Sequence, residues 1–242
     1  MEHSLAGQVA LITGASRGIG RAIATRLAHE GVAVALAART ESDLHAVADN
    51  LTTSCAPVTV LPTDVTDDKQ IVRLTEQTLT QFGHIDILVN NAGSAPPRTP
   101  TLKARLLDWE RTLRVNLWAA MHLTRLVLPT MIARRKGTII NLCSVAGLTG
   151  KAGEAAYAAA KFGIRGFSQA LFEEVRQYGI KVCVLCPGYV DTTLIPHNRR
   201  IDRNKMLTPE DVADAAFNVI VASPRSCPTE IILQPQYDPF GP

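Results

Sequence analysis

The chain has 242 residues, 46% of them hydrophobic and 19% charged, enough apolar material for one large domain or two small ones. Its formal net charge of +3 is mild and argues against nucleic acid as the main partner. No apolar run approaches the roughly 18 residues of a membrane span, the opening residues MEHSLAGQ carry no charged-then-apolar signal pattern, and no low-complexity stretch or long linker marks a boundary.

The first element is the branched apolar run Val9–Thr13 (VALIT), which predicts a buried parallel strand with Leu5 close to its opening. It runs into Gly14-Ala15-Ser16-Arg17-Gly18-Ile19-Gly20. A helical pattern follows over 18–29, with Ile19, Ile23 and Leu27 on one face. Glycine supplies the unusual backbone angles of such a turn and lets the chain approach a phosphate closely. The start of the following helix offers free N–H groups and the positive end of its dipole to that phosphate. No Lys followed by Ser or Thr closes the turn, so the phosphate loop of nucleotide hydrolases is excluded.

Further strand-like runs are Val32–Ala37, Val58–Leu61, Ile85–Val89, Thr138–Leu142, Ile180–Cys186 and Glu230–Leu233. Helical patterns lie over 41–53, 67–82, 108–134, 154–178 and 209–222, the last opened by Thr208-Pro209-Glu210-Asp211, a cap, a first-position proline and two acids. Alternating strands and helices imply a parallel sheet with helices on both faces. Ligands bind beyond the carboxyl ends of such strands. Gly14, Arg39, Asp64, Asn90, Ser144 and Pro187 each follow a strand, which places them all on that edge.

Within the pattern 154–178, Tyr157 and Lys161 are four residues apart and share a helix face. A free phenol ionises near pH ~10. A neighbouring ammonium is expected to lower that value, making the tyrosine a general acid for a carbonyl or a general base for an alcohol. Ser144, at the end of the run Thr138–Cys143, is placed to hold the same substrate oxygen. The cysteines are 55, 143, 183, 186 and 227, an odd number. Cys183 and Cys186 lie three apart in one strand-like run, so they face opposite sides and read as two core thiols rather than a zinc or redox pair. A reducing, cytoplasmic setting fits this usage.

Taken together, the chain resembles the short-chain dehydrogenase/reductase family over nearly its whole length. The likeness rests on TGASRGIG (Thr13–Gly20), Asp64-Val65, NNAG (Asn90–Gly93), Asn116 within RVN, Ser144, Tyr157-x-x-x-Lys161 and PGYVDT (Pro187–Thr192), in family order and spacing. It implies a single-domain Rossmann fold, a doubly wound seven-stranded parallel sheet with helices on both faces, and one cofactor-binding domain over 1–242. It implies hydride transfer between a nicotinamide and a carbonyl or alcohol carbon, with no metal. Tyr157 is then the acid/base, Lys161 lowers its pKa and binds the nicotinamide ribose, Ser144 orients the substrate oxygen, and Asn116 interrupts its helix and extends a proton relay. Cofactor contacts fall to Gly14, Ser16, Arg17, Gly18, Ile19 and Gly20 in the turn, to Arg39, and to Asp64 and Val65 at the adenine. Asn91, Ala92 and Gly93, Tyr157 and Lys161, and Pro187, Gly188, Val190 and Thr192 complete the set. Asn90 either holds strand ends together or touches the ribose.

No acid stands at the end of the second strand, where one would bind a ribose 2′-hydroxyl. Arg39 stands there instead, with Arg17 in the glycine turn, and two guanidiniums suit a 2′-phosphate. The expected cofactor is NADP(H), working toward reduction of a small-molecule carbonyl. By the same resemblance Leu148, Glu154 and Tyr189 line the substrate pocket. The basic segment Thr193–Met206, with Arg199, Arg200, Arg203 and Lys205, either attracts an acidic substrate or is simply solvated. The nearest group in look is the 3-oxoacyl-acyl-carrier-protein reductases, on TGASRGIGRAIA and YAAAKFGIRGFS. Two departures weaken a carrier partner: Glu173 stands where those enzymes carry an arginine before Glu174-Val175, and the chain ends without a Gly-Gly segment. Arg134, Arg135 and Lys136 remain as a partial docking patch. A non-catalytic NADP(H) sensor would show damage among Ser144, Tyr157, Lys161 and Asn116, and all four are intact. The resemblance also implies a homodimer or homotetramer, with Leu117, Met121, Leu128, Phe167 and Leu171 offering apolar surface beyond what one sheet covers.

Overall fold

The run VALIT forms strand β1 (Val9–Thr13) with every residue buried, because the sheet is covered on both faces. The computed structural model describes residues 5–51, 56–195 and 200–241. Positions 52–53 of the expected second helix, Cys55, and residues 196–199 of the basic segment, Arg199 among them, lie outside these. After β1 come α1 (Gly18–His29), β2 (Ala33–Ala38), α2 (Glu41–Leu51), β3 (Val58–Pro62), α3 (Asp68–Phe82) and β4 (Ile87–Asn90). The second half holds α4 (Leu106–Leu113), α5 (Ala119–Arg134), β5 (Gly137–Leu142), α6 (Ala155–Val175), β6 (Ile180–Pro187), α7 (Pro209–Val221) and β7 (Glu230–Leu233).

All seven strands join one sheet in the order β3-β2-β1-β4-β5-β6-β7, and every neighbouring pair is parallel. This is the doubly wound α/β architecture that the alternating pattern implies. The winding direction reverses between β1 and β4, so a crevice opens beyond the carboxyl ends of those two strands. The glycine turn and the segment Asn90–Gly93 flank it.

Side-chain alternation sends the two sides of each strand into separate cores. Ala10, Ile12, Val34, Leu36 and Val89 pack with Ile23, Leu27, Leu44 and Val219 from α1, α2 and α7. Leu11, Ala35, Leu88 and Ile139 pack with Leu74, Leu123, Val127 and Leu171 from α3, α5 and α6. Each fully buried side chain of this kind is worth about 1.5–3 kcal/mol relative to an exposed one. The helix ends are capped as their sequences imply. Thr208 and Asp211 form a reciprocal capping box at α7, and Asp67 accepts from the Lys69 and Gln70 amides at α3.

Three expectations change. Leu5 is buried but lies in a turn that precedes β1, with the Gln8 amide donating to its carbonyl. The helix expected over 108–134 is two helices joined by a π-helical turn at Arg114–Trp118. Leu171 is buried, and Leu117, Leu128 and Phe167 pack against the cores, so these residues are largely consumed within the chain. The exposed apolar side chains include Leu102, Leu106, Leu107, Leu113 and Trp118, on and beside α4, and Phe162 on α6. Periodicity reports which face is apolar, not whether a sheet or solvent lies against it.

Leu88→Ala in the central strand β4 should lower unfolding free energy by about 2–5 kcal/mol, since Leu88 is fully enclosed. Urea denaturation measures this; a change below ~1 kcal/mol would mean that the site collapses around the smaller residue.

Candidate active site

The turn after β1 and the turn after β4 are locked together. Thr13 Oγ1 accepts from the Asn91 and Ala92 amides, each at 3.1 Å, and donates to the Val89 carbonyl. The Asn91 side chain returns to the Thr13 and Gly14 carbonyls at 2.8 and 3.1 Å. Gly14 has φ of 65°, and a Cβ there would meet Asn91 Nδ2 at 2.7 Å. A Cβ on Gly20 would overlap the Gly14 carbonyl and Asn91 Nδ2. Glycine is required at both places by the closeness of the two turns. The amino end of α1 is thereby aimed into a cleft of about 540 Å³ along the carboxyl edge of the sheet.

Asn90 is buried and donates to Asn141 Oδ1 at 2.8 Å and Thr124 Oγ1 at 3.1 Å. Asn141 continues to Ser168 Oγ at 2.8 Å. Of its two expected roles, Asn90 takes the structural one, tying β4 to β5 and α5. Asn116 sits in the π-helical turn. Its Nδ2 donates to the Thr112 carbonyl at 3.0 Å and the Ser94 carbonyl at 2.9 Å, and its Oδ1 accepts from the Ser94 amide. The side chain takes a carbonyl that helical backbone would otherwise use, which accommodates the extra residue of the turn.

Tyr157 and Lys161 share one face of α6 and enter the cleft with Asn116. Ser144 caps the turn after β5, its Oγ accepting from the Ala146 amide at 3.1 Å. Burial pushes the Tyr157 phenol up to about 12, a hydrogen bond from Ser144 opposes this, and the negative charges of Cys143 and Glu154 add to it. The expected lowering by Lys161 is absent. Its Nζ donates to the Leu142 carbonyl at 2.9 Å and lies 5.6 Å from the Tyr157 ring centre. Burial also pushes the Lys161 ammonium down, so loss of water, not the neighbouring group, governs both side chains.

With this geometry in view, the comparisons decide the family. The sequence profile described as short chain dehydrogenase matches residues 8–203. The chain belongs to the short-chain dehydrogenase family. An uncharacterized oxidoreductase of Staphylococcus aureus (strain USA300) is 34% identical over 236 residues, 96% of this chain and 98% of that one. The 3-oxoacyl-[acyl-carrier-protein] reductase of Escherichia coli (strain K12) is 40% identical over 190 residues, 78% of this chain and 75% of that one. A metagenomic short-chain oxidoreductase solved in complex with NADP superposes with a TM-score of 0.86 at 33% identity, covering 97% of this chain and all of that one. Levodione reductase superposes with a TM-score of 0.88 at 27% identity over 95% of this chain and 96% of that one.

Most residues singled out by family likeness do meet at the cleft. Gly14, Ser16, Arg17, Gly18, Ile19, Arg39, Asp64, Val65, Asn91, Ala92, Gly93, Pro187 and Thr192 line it beside Asn116, Tyr157 and Lys161. Asp64 is oriented by the Thr66 amide and hydroxyl at 2.9 and 2.8 Å. No carboxylate forms an ion pair with Arg17 or Arg39 among the described residues. Gly20, Gly188 and Val190 are not wall residues, and Ser144 stands just behind the wall, against the Tyr157 phenol. Gly20 is packed beneath the turn, Gly188 lies against Gln234 and Pro235, and Val190 is buried in the core. Sequence reading missed Arg111 and Val115, which line the cleft one turn apart on one face. Their i, i+4 spacing next to Asn116 was the available signal. Asp43, Ser94, Leu142 and Cys143 were missed as well.

The substrate-side expectations change more. Leu148, Glu154 and Tyr189 do not line this cleft. Leu148 packs against a small core cluster, Glu154 accepts from Arg98 at 2.6 Å, and Tyr189 meets Phe240 edge-on at 5.1 Å. Arg203 is a staple, not a solvated charge: it donates to Asp191 at 2.7 Å and to the Thr192 and Ile195 carbonyls. Lys205 donates to the Gly241 carbonyl. Arg134 and Arg135 are also engaged, with Asp86 and with the Gln177 carbonyl. They precede β5 and so stand at the sheet edge opposite the cleft. Among the described residues no helix is long and apolar enough to cross a membrane, and no His/Cys/Asp/Glu group suits a metal.

Proposed function

We propose that the chain works as one NADP(H)-dependent oxidoreductase domain that reduces a ketone or related carbonyl to a secondary alcohol. The observation that carries this is a single cleft with Asn116, Tyr157 and Lys161 on its β5 side and Arg17 and Arg39 on its β1–β2 side. The NADP held by the metagenomic relative supports the cofactor. The cradle fits it: Gly18 and Gly93 line the cleft with bare backbone, and Cβ atoms there would crowd Thr192 at 3.1 Å and Asn116 at 3.0 Å. The α1 amides take the diphosphate, Arg39 and Arg17 the 2′-phosphate, and Asp64 the adenine amino group. Bound NADPH supplies the hydride. Tyr157 gives its proton to the carbonyl oxygen, which Ser144 orients, and Lys161 would hold the nicotinamide ribose.

A phenol near 12 is protonated at neutral pH, which suits proton donation and hence reduction. Tyr157→Phe should lower kcat by at least about 100-fold while NADPH binding, read by fluorescence, stays largely intact. Retention of most activity would sink the assignment. In the wild type, reduction should stay level through neutral pH and fall only as pH climbs toward about 12, whereas alcohol oxidation, which needs the phenolate, should rise over the same range. A reduction rate already falling between pH ~7 and ~9 would place the working phenol much lower than this.

Arg39→Asp should shift the NADPH-over-NADH ratio of kcat/KM by at least about tenfold toward NADH, the scale of one charge-assisted contact of ~1.5–3 kcal/mol. Equal use of both cofactors by the unmodified protein would remove Arg39 and Arg17 from this role.

The alternative substrate is a carrier-bound 3-oxoacyl group, favoured by the 40% identity to the Escherichia coli reductase. Arg134, Arg135 and Lys136 lie about 20 Å from the cleft along β5, and Glu173, paired with Arg176, repels an acidic carrier. Free ketones should therefore be reduced with little salt dependence; a carrier preference abolished by salt would establish the alternative. The exposed Leu106, Leu107 and Trp118 support a homodimer or homotetramer, and a monomeric mass by light scattering at micromolar concentration would exclude both.

A further inference from the structure

We propose that Cys143 and Cys186 form an oxidisable thiol pair behind the catalytic wall, in which Cys143 reacts with a hydroperoxide entering the cleft and Cys186 resolves it to a disulfide. The register of β5 and β6 pairs Leu142 with Leu185, and the Cys143 amide donates to the Leu185 carbonyl at 2.7 Å. Cys143 and Cys186 are therefore cross-strand neighbours. Both side chains fall on the same face, in a small cluster with Ala120, Ile164 and Val184. Adjacent strands run about 4.8 Å apart, inside the roughly 4.4–6.8 Å between Cα atoms that a disulfide spans.

Access and reactivity differ between the two. Cys186 is 0% exposed, whereas Cys143, 5% exposed, contributes to the cleft wall beside Leu142, Tyr157 and Lys161. The neighbouring Cys186 thiol lowers the Cys143 thiol against the opposing effect of burial, with help from the Lys161 charge. The same pairing, with burial, pushes Cys186 up. Cys143 is thus the nucleophile and Cys186 the reserve thiol. Cys183 points to the opposite face of β6, into the other core, and burial pushes it up to about 12. The Cys143 thiolate attacks one peroxide oxygen, giving a sulfenic acid and water or an alcohol. Cys186 then displaces the sulfenic hydroxyl as water. Two thiols lose two hydrogens and two electrons to one peroxide.

The bond would act on the proposed catalytic groups. Cys143 Sγ donates to the Lys161 carbonyl at 3.2 Å, a Cβ at Gly147 would strike it, and Ser144 is the next residue. Drawing Cys143 toward Cys186 shifts Ser144 and the α6 turn carrying Lys161, and a displacement of ~1 Å at such groups costs up to about 100-fold.

The test treats the whole protein with hydrogen peroxide, with and without saturating NADP⁺, and maps cysteine peptides without reduction. The expected result is a Cys143–Cys186 cross-linked peptide, a loss of reductase activity of at least about tenfold, recovery with dithiothreitol, and slower cross-linking with NADP⁺. In Cys186→Ala, dimedone should instead trap the sulfenic acid on Cys143. The loss of activity rests on the proposed roles of Ser144 and Lys161, but the peptide map does not, so failure of one reading is separable from failure of the other. Oxidation of the more exposed Cys227 with Cys143 spared, or cross-linking that NADP⁺ leaves unslowed, would overturn the proposal. So would a cross-linked protein of unchanged activity.

Discussion

The contact between the turn after β1 and the turn after β4 is the constraint on which the site depends. In a doubly wound sheet these turns lead their connections to opposite faces, so their meeting point opens as a crevice. Here it is closed to a defined width by Thr13, which satisfies two amides of the second turn, and by Asn91, which reaches back to two carbonyls of the first. Unsatisfied, each buried amide would cost about 1–3 kcal/mol. The approach is so close that Gly14 and Gly20 have no room for a side chain. The amino end of α1 is held at one position relative to Gly93, and everything bound between them inherits that spacing.

A second polar chain carries this geometry to the catalytic side. Asn90 joins Asn141 and Thr124, and Asn141 joins Ser168, whose hydroxyl ends on the Ile164 carbonyl of α6 at 2.7 Å. Asn90, Thr124, Asn141 and Ser168 are all buried. A network that is fully satisfied in a low-dielectric interior stiffens the elements it joins. It fixes α6, and with it Tyr157 and Lys161, to the strands whose ends form the crevice. The π-helical turn at Asn116 completes the wall, since its side chain joins Ser94 to Thr112 and faces the Gly93 backbone.

Desolvation dominates the electrostatics of that wall. Tyr157, Lys161 and Cys143 occupy a small buried volume, and burial opposes the charged form of each. Only Cys143 has a neighbour strong enough to reverse the effect, the Cys186 thiol across the sheet. Lys161 donates to the Leu142 carbonyl, and burial keeps the phenol protonated. A site prepared in this way favours giving a proton over taking one.

Periodicity and punctuation made the seven strands legible to within two residues at their ends, because a parallel strand buried on both faces is a short branched apolar run. The glycine turn and the Tyr157–Lys161 pair were legible because their spacing is local, a turn and an i, i+4 pair, whereas Asn116 was marked only by resemblance to the family. What sequence could not decide was what lies across from each residue. Whether Asn90 faces a ribose or Asn141, whether Lys161 reaches Tyr157 or the Leu142 carbonyl, and whether Arg203 attracts a ligand or staples its own loop depend on contacts between residues 12–51 positions apart. The pairing of Cys143 with Cys186 is of the same kind. It exists only through the register of two strands, and hydrogen bonding across a sheet, unlike side-chain alternation along a strand, leaves no mark in the order of residues.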